Sequence, residues 1–319
     1  MKISIIIPVY NERETIRACL EALLKQEYRK EDYEIIVVND CSTDDTRKIV
    51  EGCPVRRINL EENSGRVIAR ERGAEAASFD NLLFLDARVI ASGDLLKKIG
   101  EIGYQPLMAG EQGEDKYRSP FDTLFYLIRK KVYAPYYPQR DWGKELWIDR
   151  DNFDRAPKGT TCFFCSRKLF LESIPDIKGK TVNDDTRLLE TMVKKTRLLR
   201  HTDLRITYLQ RTGWKTVLRH IYERGPRFAD YYLNRSSRYS SWWRIGVTAT
   251  AVFLAAAFYY PFLWRYWLLV PVGLAGTGLF LAENLKDFAI VLIYSPPIIL
   301  AFTAGIIKGK YLSLFSHHK

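Results

Sequence analysis

The chain has 319 residues, 47% of them hydrophobic, with 49 basic against 38 acidic side chains and a formal net charge of +11. Length and apolar fraction suffice for one large domain or two smaller ones, and an aromatic content of 13% excludes disordered, collagen-like and coiled-coil chains. From Ile245 onward stand only five basic residues and two acids. A folded polar part therefore precedes an apolar part that a bilayer can solvate, which excludes a purely soluble protein.

In chain order, Lys2 to Val9 (KISIIIPV) is a continuous apolar run of strand length, the pattern of a strand buried on both faces of a parallel sheet. Met1-Lys2 leads straight into it, so no N-terminal signal or anchor is expected. Asn11 stands where it can cap a following helix, whose Ile16, Leu20, Leu23 and Leu24 recur at helical spacing. Tyr33 to Val38 reads as a second buried strand, and Ser42-Thr-Asp-Asp45 after it is a capping-box pattern that opens a helix. Val55 to Leu60 predicts a third strand, Arg66 to Ala77 a third helix, Asn81 to Asp86 a fourth strand, and Gly93 to Ile99 a fourth helix. This alternation predicts an open α/β sheet with helices on both faces. Such sheets bind ligands beyond the carboxyl ends of their strands. The informative residues are then Pro8, Val9, Tyr10, Asn11 and Glu12, followed by Asn39 and Asp40, and by Asp86, Ala87 and Arg88. Neither G-x-G-x-x-G nor G-x-x-x-x-G-K-[ST] occurs, so the usual dinucleotide and P-loop fingerprints are missing. A carboxylate ending the second strand can instead bind a nucleoside base or sugar, and one ending the fourth can hold a metal against a diphosphate.

Beyond Tyr104 the regularity fades. Residues 111–157 are aromatic and charged, with Tyr126, Tyr133, Tyr136, Tyr137, Trp142 and Trp147. They suit either a sugar or acceptor cleft or an irregular packed excursion. Thr181 to Lys195 contains Asn183-Asp184-Asp185-Thr186 and continues as an amphipathic helix. Two acids at a helix start are commonly partners of its dipole.

Three apolar runs follow: Ile245 to Trp264, Trp267 to Ala282, and Phe288 to Ile307 with Ser295-Pro296-Pro297 inside it. A span needs roughly 20 such residues, and Trp242, Trp243, Tyr259, Tyr260, Trp264, Tyr266 and Trp267 suit an aromatic belt. Nine basic residues from Arg205 to Arg244, against Glu223 and Asp230, approach the first run. Such an approach is retained in the cytoplasm and attracted to anionic headgroups, and its neighbouring span favours a membrane partner over nucleic acid. The expected layout is a cytoplasmic domain at 1–212, a basic aromatic interfacial region at 213–244, and a transmembrane region at 245–319. That region holds either three spans or two spans and a re-entrant hairpin turned at Pro296-Pro297. The five cysteines predict reduced thiols, with Cys162 and Cys165 on a buried strand and no second pair to complete a zinc site.

The strand ends carry a resemblance. Ser4-Ile-Ile-Ile-Pro-Val-Tyr-Asn-Glu12 and Val37-Val-Asn-Asp-Cys-Ser-Thr-Asp-Asp-Thr46 resemble the nucleotide-binding half of family 2 glycosyltransferases, which have the GT-A fold. Asn63-Ser-Gly65 with Ala69-Arg-Glu-Arg-Gly73, Leu83-Phe-Leu-Asp-Ala-Arg88, Asp184-Asp-Thr186 and Gln210-Arg-Thr-Gly-Trp214 are similar to the family's Asn-Gly, D-x-D, Glu-Asp and Q-x-x-R-W segments. The resemblance covers about residues 1–235 and implies a GT-A type open mixed sheet flanked by helices. The activity it implies is inverting transfer of a sugar from a nucleoside diphosphate sugar, preferably a UDP-sugar, to a membrane-held acceptor such as a lipid-linked or polysaccharide glycan. Asp185 would be the base and Asp184 its supporting partner. Pro8 to Glu12, Asp40, Arg66, Asp86 and Arg88 would meet the nucleotide, and Gln210, Arg211 and Trp214 would border acceptor and diphosphate. Mg2+ or Mn2+ would sit on Asp86. Arg88, however, replaces the second acid of D-x-D and cannot ligate a cation. Either Asp86 and the phosphates retain the metal, or the guanidinium contacts the diphosphate in its place. Gly213 likewise replaces the Arg of Q-x-x-R-W, which weakens a processive reading. Two alternatives stay open: a polyprenyl-phosphate glycosyltransferase, and a non-catalytic nucleotide-binding membrane protein of an assembly complex.

Overall fold

The structure, a computed structural model, describes residues 1–113, 119–133, 145–176, 184–211, 213–233, 241, 245–246, 248, 252 and 269–316. The chain forms two compact units. The first comprises Met1–Glu114, Pro135–Lys180 and Asp184–Gln210; the second comprises Asp115–Ala134, Thr181–Asn183 and Arg211–Lys319.

The first unit is built on a mixed sheet whose strands, in chain order, are β1 (Ile3–Val9), β2 (Tyr33–Asn39), β3 (Arg56–Asn59), β4 (Asn81–Leu85), β5 (Val89–Ala91), β6 (Leu107–Gly113), β7 (Glu145–Ile148), β8 (Cys162–Ser166) and β9 (Leu198–Tyr208). Their spatial order is β3-β2-β1-β4-β8-β6-β9-β5, with β7 on β9. The four strands β3, β2, β1 and β4 run parallel. The continuous apolar runs of β1, β2 and β4 are buried on both faces, as central parallel strands require, whereas the edge strand β3 is polar and largely exposed. Ile3, Ile5, Ile7 and Val9 pack on helices α1 (Ile16–Leu24) and α4 (Leu95–Ile102). Ile6, Ile36 and Val38 face α3 (Arg66–Ala76), α6 (Arg167–Leu171) and α7 (Asp184–Lys195) on the other side. Helix α2 (Thr46–Glu51) follows β2. Pairing of Val9 with Asn39 and the short step from Leu85 to Asp86 bring three strand ends to one edge of the sheet. Antiparallel β8 delivers Thr160 and Thr161 to that edge as well, where Asp86 N–H donates to Thr161 O at 3.0 Å.

Two local expectations are corrected. Asn11 does not cap α1, whose N-cap is Thr15 without a side-chain bond; Asn11 instead sits at φ 53° and ties to the β2–α2 loop. The Ser42–Asp45 capping box does not form either. Asp45 is the N-cap of α2 without a side-chain bond, and Asp44 accepts the Thr46 N–H at 3.0 Å. Burial pushes the Asp44 carboxyl up, but hydrogen bonds from Thr46 and the Arg13 N–H outweigh it and hold Asp44 below its ordinary value.

The second unit contains α5 (Pro120–Val132), α8 (Trp214–Phe228) with a π-turn at Ala229–Leu233, α9 (Leu269–Leu281) and α10 (Leu285–Ser316). Ser119 caps α5 by accepting the Asp122 N–H at 3.1 Å, with Pro120 in the first turn. Phe121, Leu124, Leu127, Val217, Ile221, Leu281, Ile290, Val291 and Ile298 form the core of this unit. The third apolar run is one continuous helix through Pro296 and Pro297, not a hairpin. Those prolines remove the N–H partners of the Leu292 and Ile293 carbonyls without turning the chain. Among the described residues one helical stretch, Leu285–Tyr311, is long and apolar enough to cross a membrane by length and composition. Helix α9 has 13 residues, short of a span. Most of the first run, including Trp264, lies outside the described residues, as do Trp242, Trp243, Tyr259, Tyr260, Tyr266 and Trp267.

Candidate functional site

The carboxyl edge of the parallel strands is laid out by the turn after β1. Asn11 Oδ1 accepts the Thr43 N–H at 2.8 Å, the Asn11 N–H donates to Ser42 Oγ at 3.1 Å, and the Glu12 N–H donates to Thr46 Oγ1 at 2.8 Å. These bonds pin the segment after Pro8 and Val9 to the loop after β2, and Tyr10 is left exposed. Asp40 is 4% exposed, and its own N–H donates to Val9 O at 2.8 Å. Its Oδ1 accepts the Ser64 N–H at 2.7 Å and its Oδ2 the Gly65 N–H at 2.9 Å. Gly65 takes φ 99°, a conformation open to glycine, so Asp40 fixes the turn that launches α3.

At the centre lies Arg70, a residue not singled out from the sequence. It is 1% exposed, and its guanidinium joins three elements. Nη1 donates to Asp185 Oδ1 at 2.5 Å and to Thr160 Oγ1 at 2.9 Å; Nη2 donates to Asp86 Oδ1 at 3.2 Å and to Thr160 O at 3.1 Å. The Phe84 ring lies 5.8 Å beneath it. Thr160 Oγ1 also donates to Asp185 Oδ1 at 3.0 Å, and Arg66 Nη1 reaches Asp185 Oδ2 at 2.7 Å. The acid that ends β4 and the acid that opens α7 are thus drawn to one buried cation. A buried charge is tolerated only when so paired. The side chain of Asp184 lies outside the described residues, as does Asn183.

Arg88 turns away from Asp86. Its Nε donates to Glu12 Oε1 at 3.0 Å, its Nη2 lies 2.7 Å from Glu12 Oε2, and its Nη1 donates to Leu209 O at 3.1 Å. Among the described residues no group of three or more His, Cys, Asp and Glu side chains could hold a metal. Asp86 is then the single carboxylate of the D-x-D position. It suits a hard cation whose remaining ligands are phosphate oxygens and water, the way magnesium is commonly held.

Gln210 ends the first unit one residue after Leu209, whose N–H donates to Arg88 O at 2.8 Å. Arg211 begins a stretch of the second unit, in which Trp214 opens α8, stacks on Tyr294 at 4.8 Å and meets Phe121 edge-on at 4.9 Å. Of the aromatic residues between 111 and 157, Tyr136, Tyr137 and Trp142 lie outside the described residues. Trp147 is a packing residue, 4.8 Å from Tyr104 and beneath Arg197. Cys162 and Cys165 lie buried on β8 as expected, and all five cysteines are free thiols. Burial, helped by the Asp86 charge, pushes the Cys19 and Cys162 thiols up to about 12.

A mixed sheet whose parallel strand ends gather two backbone turns and two acids over a buried guanidinium has the architecture of the GT-A type. Comparison with known proteins agrees. Residues 4–101 match the family model "Glycosyl transferase family 2", and the chain carries a domain of that family. It is 43% identical over 89 residues to glycosyltransferase AglE of Haloferax volcanii, a match of 26% of this chain and 29% of that protein. It is 36% identical over 102 residues to the poly(ribitol-phosphate) beta-N-acetylglucosaminyltransferase TarS of Staphylococcus aureus, 30% of this chain and 18% of that protein. The chain thus spans less than a third of the length of these relatives. The fold is similar to that of S. aureus TarS 1-349 in complex with UDP-GlcNAc, with a TM-score of 0.53 and 19% identity over 98% of this chain and 92% of that one. It is also similar to the mannosyltransferase PcManGT of Pyrobaculum calidifontis in complex with GDP-Man and Mn2+, with a TM-score of 0.54 and 17% identity over 99% of this chain and 87% of that one.

Proposed function

We propose that this protein transfers a sugar, with inversion, from a nucleoside diphosphate sugar to a hydroxyl of a membrane-held glycan acceptor. The observation that carries the reading is the convergence of Asp86 and Asp185 on Arg70 at the carboxyl edge of the parallel strands. Inverting transfer needs a base behind the attacking hydroxyl and positive charge at the leaving diphosphate. Asp185 takes the proton of the acceptor hydroxyl as its oxygen bonds the anomeric carbon and the bond from that carbon to the diphosphate breaks. Asp184 supports it. Asp40 and the Pro8–Glu12 turn receive the nucleoside, with uracil preferred. Asp86 would hold Mg2+ or Mn2+, which when bound supplies charge to the leaving diphosphate. PcManGT, which binds GDP-Man and Mn2+ together, is a precedent for that pairing.

The membrane part of the reading rests on α10. Ile293, Leu300 and Ile307 recur every seven residues and are exposed, while Ile290, Val291, Ile298 and Ile306 are buried. An exposed apolar stripe along a helix of span length suits lipid. Residues 1–212 would then work on the cytoplasmic face, with Gln210, Arg211 and Trp214 toward the acceptor. The test is to incubate purified full-length protein and membrane lipids with a panel of nucleotide sugars and measure nucleoside diphosphate release. Nucleotide binding without release from any donor would favour the non-catalytic reading, for which the Arg88–Glu12 pair is the supporting feature.

A further inference from the structure

Arg66 and Arg70 stand one helical turn apart on α3 and divide the carboxylate of Asp185 between them. Their situations differ. Arg70 is 1% exposed and is also bound by Thr160 and Asp86, so it has nowhere to go. The Arg66 side chain is 36% exposed and leaves the first turn of α3, directly after the Ser64–Gly65 turn that Asp40 holds. That turn belongs to the edge where the nucleotide reading puts the donor. A guanidinium forks onto phosphate at least as well as onto carboxylate, and a diphosphate carries more charge than Asp185.

We infer that Arg66 has two alternative anionic partners: Asp185, as seen here, and the diphosphate of the bound donor. This rests on the proposed function and deepens it. Drawn to the phosphates, Arg66 gives up its contact with Asp185 Oδ2 on the side of the acceptor hydroxyl, while Arg70 and Thr160 keep Oδ1 in position. Donor binding then prepares the base, and the acceptor follows the donor.

The experiment is calorimetric titration of the full-length chain in detergent with UDP, GDP and uridine, for wild type, Asp185→Asn, Arg66→Gln and the double variant. Because the carboxylate competes for Arg66, Asp185→Asn is expected to tighten nucleoside diphosphate binding about fivefold, the scale of a partly exposed ion pair. In the Arg66→Gln background the same change is expected to alter affinity less than twofold. Equal tightening in both backgrounds would mean simple charge repulsion and would overturn the exchange, as would no tightening at all. A second comparison does not depend on Asp185→Asn folding well. Arg66→Gln is expected to weaken UDP about tenfold, the effect of losing a charged phosphate contact, and to leave uridine unchanged. Equal effects on UDP and uridine, or none on either, would overturn the inference. Failure of wild type to bind any nucleoside diphosphate would instead remove the proposed function and the inference with it.

Discussion

Arg88 and Glu12 form a two-contact ion pair across the strand ends, with side chains only 12% and 11% exposed. The residue that replaces the second D-x-D acid is therefore committed to a carboxylate from the β1 turn and to the Leu209 carbonyl. It is not aimed at Asp86, whose partner is Arg70. A divalent cation on Asp86 would have one protein carboxylate and should bind weakly. Wild type is expected to need more Mn2+ for half-maximal rate than Arg88→Asp, which restores a second acid. The same variant should melt at lower temperature in chelator, because Asp at this position faces Glu12, and should recover with millimolar Mn2+. Full wild-type activity in excess chelator would reject metal use.

Asp185→Asn keeps the shape of the side chain and removes its capacity to take a proton. Turnover is expected to fall on the order of 10²–10⁴, the usual cost of losing a general base, without loss of nucleoside diphosphate binding. Near-normal turnover here, together with an inactive Asp184→Asn, would move the role to the neighbour.

The parallel half of the sheet was legible because β1, β2 and β4 are continuous apolar runs, a pattern that buried parallel strands impose on sequence. The acids at the strand ends were legible as well. Arg70 was not, since a charged residue in A-R-E-R-G reads as surface. The signal was present: it occupies the apolar stripe of α3, three residues after Val67 and four before Ala74, and a charge there needs buried partners. Those partners, Thr160 and Asp185, are 90 and 115 residues away, a distance that local pattern cannot span. The Pro296-Pro297 pair misled in the other direction. Proline breaks an isolated helix, but packing of α10 by α5, α8 and α9 keeps this one intact.

Asp40 gives a test of the proposed nucleoside site. Its carboxylate accepts two backbone N–H groups, and each oxygen retains a further lone pair for a base N–H. Asp40→Ala is expected to weaken nucleoside diphosphate binding by roughly 1–3 kcal/mol. Uridine should suffer as much as UDP, which separates this site from Arg66. Unchanged affinity for every nucleoside and nucleoside diphosphate in calorimetry would sink the assignment.

Thiol labelling checks the packing of the sheet. Cys19, Cys162 and Cys165 are buried with their thiols pushed up, whereas Cys41 and Cys53 are partly exposed. Only the thiolate reacts, and the raised values keep it scarce at pH 8. Iodoacetamide at pH 8 should therefore modify Cys41 and Cys53 in native protein and all five in urea, as read by peptide mass spectrometry. Rapid native labelling of Cys162 or Cys165 would contradict the buried position of β8.

The basic helix α8 is held by a close backbone crossing with α10. Gly305 and Gly309 on α10 are spaced G-x-x-x-G and meet Gly225 and Pro226 of α8 at backbone distance. A Cβ on Gly305 would fall on the Tyr222 carbonyl oxygen, and one on Gly309 would stand 2.6 Å from Pro226 Cα. Small residues at such a crossing let helices approach closely, whether in water or in lipid. Val217 and Ile221 complete the contact, so α8 is a packed helix of the second unit and not a separable interfacial peptide. The contact is tested in the full chain. Gly305→Leu is expected to destabilise it by about 1–3 kcal/mol or more, because overpacking against backbone cannot be relieved by a rotamer change. Gly276→Leu, where a Cβ meets nothing within 4 Å, is the control and should melt like wild type. Equal melting temperatures for wild type, Gly305→Leu and Gly276→Leu in detergent would show that α8 and α10 do not cross at these glycines.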